Sequence, residues 1–532
     1  MKRIYKNGQI YTFEPTKPIV QAVVIDNNRF IDMGSTNEMM LQWESQVDEV
    51  IDLEGKTVTP GLMDSHLHLS LIAYNFINLD LTGVPTKQSM LEKIKERASD
   101  LQPGEWLVGS GWDENIFTDG KIPTINELDY VSPQNPLLLT RICTHASVVN
   151  SKALEISQYH PDMTIPEGGS IVLDEQTKKP TGLVLESAAE IFKAHIPDHT
   201  YDELKKAMRK AIQFSIKNGL TSVHTNDTLF LGGLDQTYQL YDELLNEENL
   251  GLRTNLLINH DFLGDLRRNG MYAGFGNDTL AIGAVKIFAD GAFGRRTALL
   301  SEAYSDDPTN YGEAMYGQEQ LYDIVRESRK LGMPIAAHTI GDQALENVLD
   351  VLDQFPHVSY RDRLIHTQVL RPELIQRLAV PSRIADIQPR FLASDFPWVQ
   401  VRLGEERIQL SYAWKSLLQA GVLCAGGSDS PVEPVNPLLG IHAAVTRRVP
   451  GDSREWGPDE KLSMHDAFRL FTEMGAYATN EELLKGTISR GKLADMTVYS
   501  KNPFTMEDPD ELFSTEIEMT IIGGDIKWCR EG

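Results

Sequence analysis

Cysteine is almost absent. The 532 residues include three, Cys143, Cys424 and Cys529, spaced far apart. An odd, sparse set is not a disulfide framework, and it suits a reducing compartment. Long apolar runs are missing too, so no segment reaches the length of a membrane span. The amino terminus, Met1-Lys2-Arg3-Ile4-Tyr5-Lys6-Asn7-Gly8, carries positive charge with no apolar stretch behind it, and no signal peptide is visible. Basic residues are outnumbered, 50 Lys and Arg against 76 Asp and Glu, for a formal net charge of −26. That balance argues against nucleic acid or an anionic membrane as partner, since both need a basic footprint. Its plainer effect is to keep the chain soluble. The expectation is a cytoplasmic protein acting on a small molecule, with a homo-oligomer allowed.

What is present is a hydrophobic fraction of 41% with 24% charged residues, the composition of a globular protein. The length predicts one barrel-sized domain with one or two attachments. Residues 1–59 read as short strands between tight turns: Ile10-Tyr11-Thr12-Phe13, Ala22-Val23-Val24-Ile25 and Phe30-Ile31-Asp32-Met33. Residues 471–532 resume that style, with Asp495-Met496-Thr497-Val498-Tyr499 and Met519-Thr520-Ile521-Ile522 followed by Gly523-Gly524. Neither end holds enough apolar residues for its own core, so the two are expected to pair into one small β-sandwich.

Residues 60–470 repeat a phrase of helix, glycine, apolar strand and polar residue. A helix over 207–217 closes at Asn218-Gly219 before Leu220-Thr221-Ser222-Val223-His224, with a capping box of Thr200 and Glu203 at its start. A second over 321–331 closes at Gly332 before Pro334-Ile335-Ala336-Ala337-His338. A third over 412–420 closes at Gly421 before Val422-Leu423-Cys424-Ala425. Alternation of this kind means βα units around a parallel sheet. Eight strands end near His68, His224, His260, Lys286, His338, His366, Gln388 and Asp429. The fold class is α/β, a (β/α)8 TIM barrel, because ligand-capable residues at strand ends are what its active face requires. Far more chain than a crossover needs separates the first two strands. Residues of about 71–200 are therefore an insertion, expected to act as a lid.

Chemistry gathers at those strand ends. His66 and His68 are two apart, so on a strand their imidazoles face one way and can reach one metal ion. Such a pair also occurs in ordinary loops, and downstream residues change its weight. Lys286 sits amid apolar residues in Ala284-Val285-Lys286-Ile287-Phe288. A lone lysine there would snorkel to solvent. A neutral lysine amine that takes up carbon dioxide instead becomes a carbamate, whose two oxygens can bridge two metal ions. His338 and His366 lie on successive strands, and Asp429 ends the last one in Gly426-Gly427-Ser428-Asp429. A buried aspartate is costly unless paired or bound to a cation.

The chain resembles the amidohydrolase superfamily, and within it amidohydrolase family 3, the branch of N-substituted formamide deformylases. The resemblance rests on Gly61 to His68, Val285 to Ala292, His338-Thr339-Ile340-Gly341-Asp342, His366 and Gly427-Ser428-Asp429-Ser430-Pro431. Gly486-Thr487-Ile488 and Gly491 to Asp495 look like the superfamily's return into its sandwich. It implies that His66, His68 and Asp429 hold one divalent metal, that His338 and His366 hold a second, and that N6-carboxylated Lys286 bridges them. One or two ions, with zinc first among candidates, is the expected cofactor. The expected reaction is hydrolysis of an amide or N-substituted formamide by metal-activated hydroxide, with Asp429 as proton shuttle. Trp112, Asp113 and His145, in insertion segments that recur in the branch, and Arg295, just past the lysine strand, are expected to contact substrate. A deaminase of the same superfamily is the competing enzyme reading, and the bridging lysine stands against it. A silent scaffold would be expected to lack ligands, and this chain has all six.

Overall fold

The structure is a computed structural model that describes residues 1–118, 120–141, 145–396 and 398–531. Cys143 lies outside the described residues, and Cys424 and Cys529 are free thiols. Among the described residues no helix is long and apolar enough to cross a membrane. Contacts divide the chain into two units, one of 1–72 with 209–532, the other of 73–208.

Eight strands of the first unit form one sheet in chain order: β1 (Leu62–Leu67), β2 (Leu220–Thr225), β3 (Arg253–Asn259), β4 (Leu280–Phe288), β5 (Ile335–Thr339), β6 (Asp362–His366), β7 (Arg383–Ile387) and β8 (Cys424–Gly426). Every neighbouring pair is parallel. All residues of β2 and of β3 are buried, as expected for strands covered on both faces. The ends of the sheet meet through backbone: Asp429 N donates to His66 O at 2.7 Å and His68 N to Ser430 O at 2.8 Å. This is the expected (β/α)8 barrel, and its eight strands are the eight read from the sequence.

The helices between strands follow local chemistry. Gln318–Lys330 buries Leu321, Val325 and Ser328, one stripe at helical spacing. It stops at Gly332, whose φ of 68° is the left-handed conformation that lets the chain turn into β5.

The chain termini pair as expected. A six-stranded sheet runs Asp525–Cys529, Ile517–Ile522, Met496–Tyr499, Thr57–Pro60, Gln9–Tyr11, Ile19–Val20, so three C-terminal strands join three N-terminal ones where Met496–Tyr499 pairs with Thr57–Pro60. A four-stranded sheet of Arg29–Gly34, Ala22–Asp26, Lys2–Lys6 and Glu49–Asp52 accompanies it. Tyr5, Val23, Phe30, Val58, Ile488, Val498 and Ile521 share one core. The helix Glu473–Ala478 lies beyond the expected barrel boundary at 470, yet it packs Met474 and Ala478 on Ile384 of β7 and Ala425 of β8. Its apolar face belongs to the barrel because those strands need covering.

The unit of 73–208 is a folded body in its own right. Six strands form a mixed sheet in the order Ser170–Leu173, Pro180–Leu185, Ala146–Val149, Leu137–Arg141, Leu107–Trp112, Leu79–Asp80. Helices Lys87–Ser99 and Ile125–Val131 close a core around Met90, Ile94, Leu128, Leu137, Leu139 and Trp112.

Candidate metal centre

The six expected ligand residues come from five places on the barrel. His66 closes β1 and His68 follows it, Lys286 lies near the end of β4, His338 near the end of β5, His366 at the end of β6, and Asp429 just past β8. Strand register sets them side by side, with Phe288 opposite His338 and Thr339 opposite His366. Asp429 Oδ1 is 3.4 Å from His66 Nε2 and 3.2 Å from His68 Nε2. Lys286 Nζ is 3.2 Å from His66 Nε2, and His366 Nε2 is 2.9 Å from His338 Nδ1. Ligand atoms of His66, His366 and Asp429 all lie within 4.8 Å of one another. All six side chains are thus linked in one cluster.

The outer ring nitrogens decide which inner atoms carry lone pairs. His68 Nδ1 donates to Asn226 O at 2.9 Å, His338 Nε2 to Gly291 O at 2.9 Å, and His366 Nδ1 to Gln388 Oε1 at 2.7 Å. Each acceptor is an oxygen that can only accept, so whenever the ring is neutral its opposite nitrogen carries the lone pair and faces the cluster. His338 Nδ1 and His366 Nε2 then present lone pairs to each other, an arrangement that a shared proton or a cation between them would relieve. Imidazole nitrogens with one carboxylate are the donor set of zinc and its neighbours. The residues present fit a divalent metal.

Electrostatics agree. Burial holds His66 and His338 well below the usual histidine range, and it brings His366 down to about 4, so all three are neutral near pH 7. For His68 burial opposes the charged form, but the Asp429 carboxylate more than offsets it and raises the pKa. Burial likewise works against ionised Asp429, yet His68, His366 and Lys286 together hold it below the ordinary value. Burial brings Lys286 down to about 7, against the pull of Asp429 and Asp386. Its amine also lies 4.8 Å from the centre of the Phe288 ring.

The support is built from backbone and buried carboxylates. Asp64 sits two residues before His66, so it shares that residue's side of β1. It accepts His66 N at 3.0 Å and Ser428 N at 3.1 Å, tying β1 to the loop after β8. Asp290 collects the amides of Leu299, Ile340 and Gly341 and lies 3.6 Å from His338 Nε2. Burial pushes both carboxyls up to about 7. A β-carbon on Gly427 would stand 2.7 Å from His66 N, so only glycine lets the two segments approach. His366, Thr367 and Asp429 hold φ of 76°, 47° and 56°. Left-handed backbone at non-glycine residues costs about 1–3 kcal/mol each and persists where the surroundings impose it, often at functional sites.

The other expected contacts fare differently. Trp112 is fully buried in the core of the 73–208 unit, with its indole N–H donated to Leu139 O at 2.8 Å. It is a core residue and not a pocket wall, because its ring completes the apolar layer between sheet and helices. Asp113 is ion-paired with Arg141 at 2.7 Å, and exposed His145 with Glu186 at 2.9 Å. Arg295 is exposed and has no ion pair among the described residues. Sequence reasoning passed over Asp64, Asp290 and Gln388 as functional. The signal available was their place: each stands within two residues of a clustered histidine or of the end of a barrel strand.

Fold and site together define a metal-dependent hydrolase built on a (β/α)8 barrel. The model of the amidohydrolase family matches residues 49–526. YtcJ of Bacillus subtilis (strain 168) is 39% identical over 99% of each chain. The N-substituted formamide deformylase of Arthrobacter pascens is 27% identical over 99% of this chain and 98% of its own. Among solved structures, an uncharacterized metal-dependent hydrolase from Pyrococcus furiosus aligns with a TM-score of 0.78 at 30% identity, covering 95% of this chain and 100% of that one. The chain belongs to the amidohydrolase family.

Proposed function

We propose that this protein hydrolyses a carbon–nitrogen bond other than a peptide bond, in an amide or N-substituted formamide of small size. The observation that carries the reading is the convergence of four imidazoles, one lysine and one carboxylate at the C-terminal ends of barrel strands. His66, His68 and Asp429 would hold one divalent ion and His338 and His366 a second, with zinc the best match to the donors. Lys286, as its carbamate, would stand between the two. A metal bound there supplies Lewis acidity, lowering the pKa of a water molecule and polarising the substrate carbonyl.

The chain's own residues do the rest. Asp429 is ionised, and it is the one carboxylate of the cluster, so it takes the proton from the attacking water. It then returns that proton to the departing nitrogen, general base followed by general acid. The buried lysine among the ligands weighs against the deaminase alternative. Arg295, an exposed guanidinium seven residues past the last residue of β4, is assigned to substrate, and the net charge of −26 favours a small molecule over nucleic acid or membrane.

The test is a panel of N-substituted formamides, acyl amides, lactams and aminopurines, assayed for released amine, acid or ammonia. Turnover of formamides or amides is expected. Asp429→Asn is expected to lower turnover by about 10²–10⁴-fold or more while keeping metal, because an amide oxygen coordinates but accepts no proton there. Ammonia released only from aminopurines would replace this reading with deamination, and near-normal turnover in Asp429→Asn would remove Asp429 as the shuttle.

A further inference from the structure

The segment after β7 supplies none of the six clustered residues, yet Gln388 and Phe391 both contact one of them, His366. We infer that Gln388 is a positioning residue that fixes the tautomer and orientation of His366, and thereby the affinity of the site for its second metal. The inference rests on the metal-site reading above.

The amide of Gln388 can be oriented without ambiguity. Its Nε2 donates to Asp386 O at 2.9 Å, an acceptor that cannot donate in return. The opposite atom, Oε1, is therefore the one 2.7 Å from His366 Nδ1. An amide oxygen only accepts, so Nδ1 carries the proton and Nε2 carries the lone pair that faces His338 and Asp429. Were the glutamine turned over, its N–H would meet Nδ1 and force the proton onto Nε2, which would close that nitrogen to a metal. The anchor at Asp386 O prevents the turn. Gln388 is 3% exposed, so water cannot replace it easily.

Phe391 completes the clamp. Its ring stacks on the His366 imidazole, with centroids 5.7 Å apart and planes 14° from parallel. Stacking limits tilt of the ring, and the glutamine limits its rotation. His366 itself sits on left-handed backbone, φ 76°, a strained conformation that persists where its surroundings impose it.

The experiment compares wild-type protein, Gln388→Met and Gln388→Glu, each purified with zinc. Gln388→Met keeps the volume and removes the acceptor; Gln388→Glu keeps an oxygen facing Nδ1. Readouts are metal per chain, the chelator concentration that strips half of it, the visible absorption of the cobalt-substituted protein, and the melting temperature. Loss of such an outer partner costs about 10–100-fold in metal affinity. Gln388→Met is therefore expected to lose metal at about 10–100-fold lower chelator and to alter the cobalt spectrum, and Gln388→Glu to restore both toward wild type. Equal metal retention and an unchanged cobalt spectrum in Gln388→Met would overturn the inference while leaving the metal site standing. So would equal loss in both variants, which would mean that packing alone is at stake. Wild-type protein that binds no metal would overturn the site reading, and this inference with it.

Discussion

Removing carbon dioxide should disarm this site without any mutation. An ordinary lysine with a pKa of 10.5 is about 0.03% neutral at pH 7, whereas Lys286, brought down to about 7 by burial, is about half neutral. Free amine is thus on the order of a thousandfold more abundant at Lys286, and only free amine takes up carbon dioxide. Apo protein in degassed buffer, given zinc with or without bicarbonate, is expected to bind its full complement and turn over only with bicarbonate. ¹³C-bicarbonate should give a carbamate resonance that Lys286→Ala lacks. Lys286→Ala should lose most of the second metal, and short carboxylic acids should restore part of it. The same titration predicts stability. Between pH 7 and 10.5 the unfolded lysine holds a proton that the folded one has released, so stability of apo protein rises with pH through that window. The full difference is on the order of 5 kcal/mol. Urea unfolding of carbon-dioxide-free apo protein at both pH values, against Lys286→Met, isolates it. Full metal binding and activity without bicarbonate, with no carbamate resonance, would refute the bridging role.

Two further outcomes concern the scaffold. Arg253 of β3 and Asp495 of the sandwich form a buried pair at 2.6 Å, so Asp495→Ala should cost about 3–5 kcal/mol in urea unfolding by stranding a buried guanidinium, and a loss below 1 kcal/mol would contradict that. Trp112→Ala should cost about 3–5 kcal/mol as a core truncation while the order of preferred substrates stays the same; a changed order in a fully folded variant would return Trp112 to the pocket.

The barrel was legible because it is written in local chemistry. Gly332 ends its helix in the left-handed conformation, and β5 begins where the apolar run after it begins. The clustered residues were legible because each carries a distinctive side chain at or near a strand end. What stayed hidden depends on contacts between distant segments. The sequence places Gln388 at a strand end, but nothing local shows that it meets His366 until β6 and β7 bring the two together. Trp112 misled for the same reason. Beside Asp113 it looks like half of an amphipathic pocket, and only the sheet Leu107–Trp112 shares with Leu137–Arg141 turns the indole inward. The 73–208 segment reads as an insertion and a lid, because the pairing that makes its strands one sheet is long-range.

Closure of the barrel and assembly of the site are one event. The first and last strands meet through Asp429 N to His66 O and His68 N to Ser430 O, so the bonds that shut the sheet are made by residues of the cluster or their immediate neighbours. Asp64 reinforces the same seam from beneath, with His66 N and Ser428 N on one carboxylate. Asp429 reaches His66 and His68 only from the left-handed backbone that this seam imposes. A metal held by His66, His68 and Asp429 would therefore cross-link the two ends of the sheet. By linkage, it would stabilise the closed barrel in proportion to its binding, about 4 kcal/mol at a thousandfold excess over its dissociation constant.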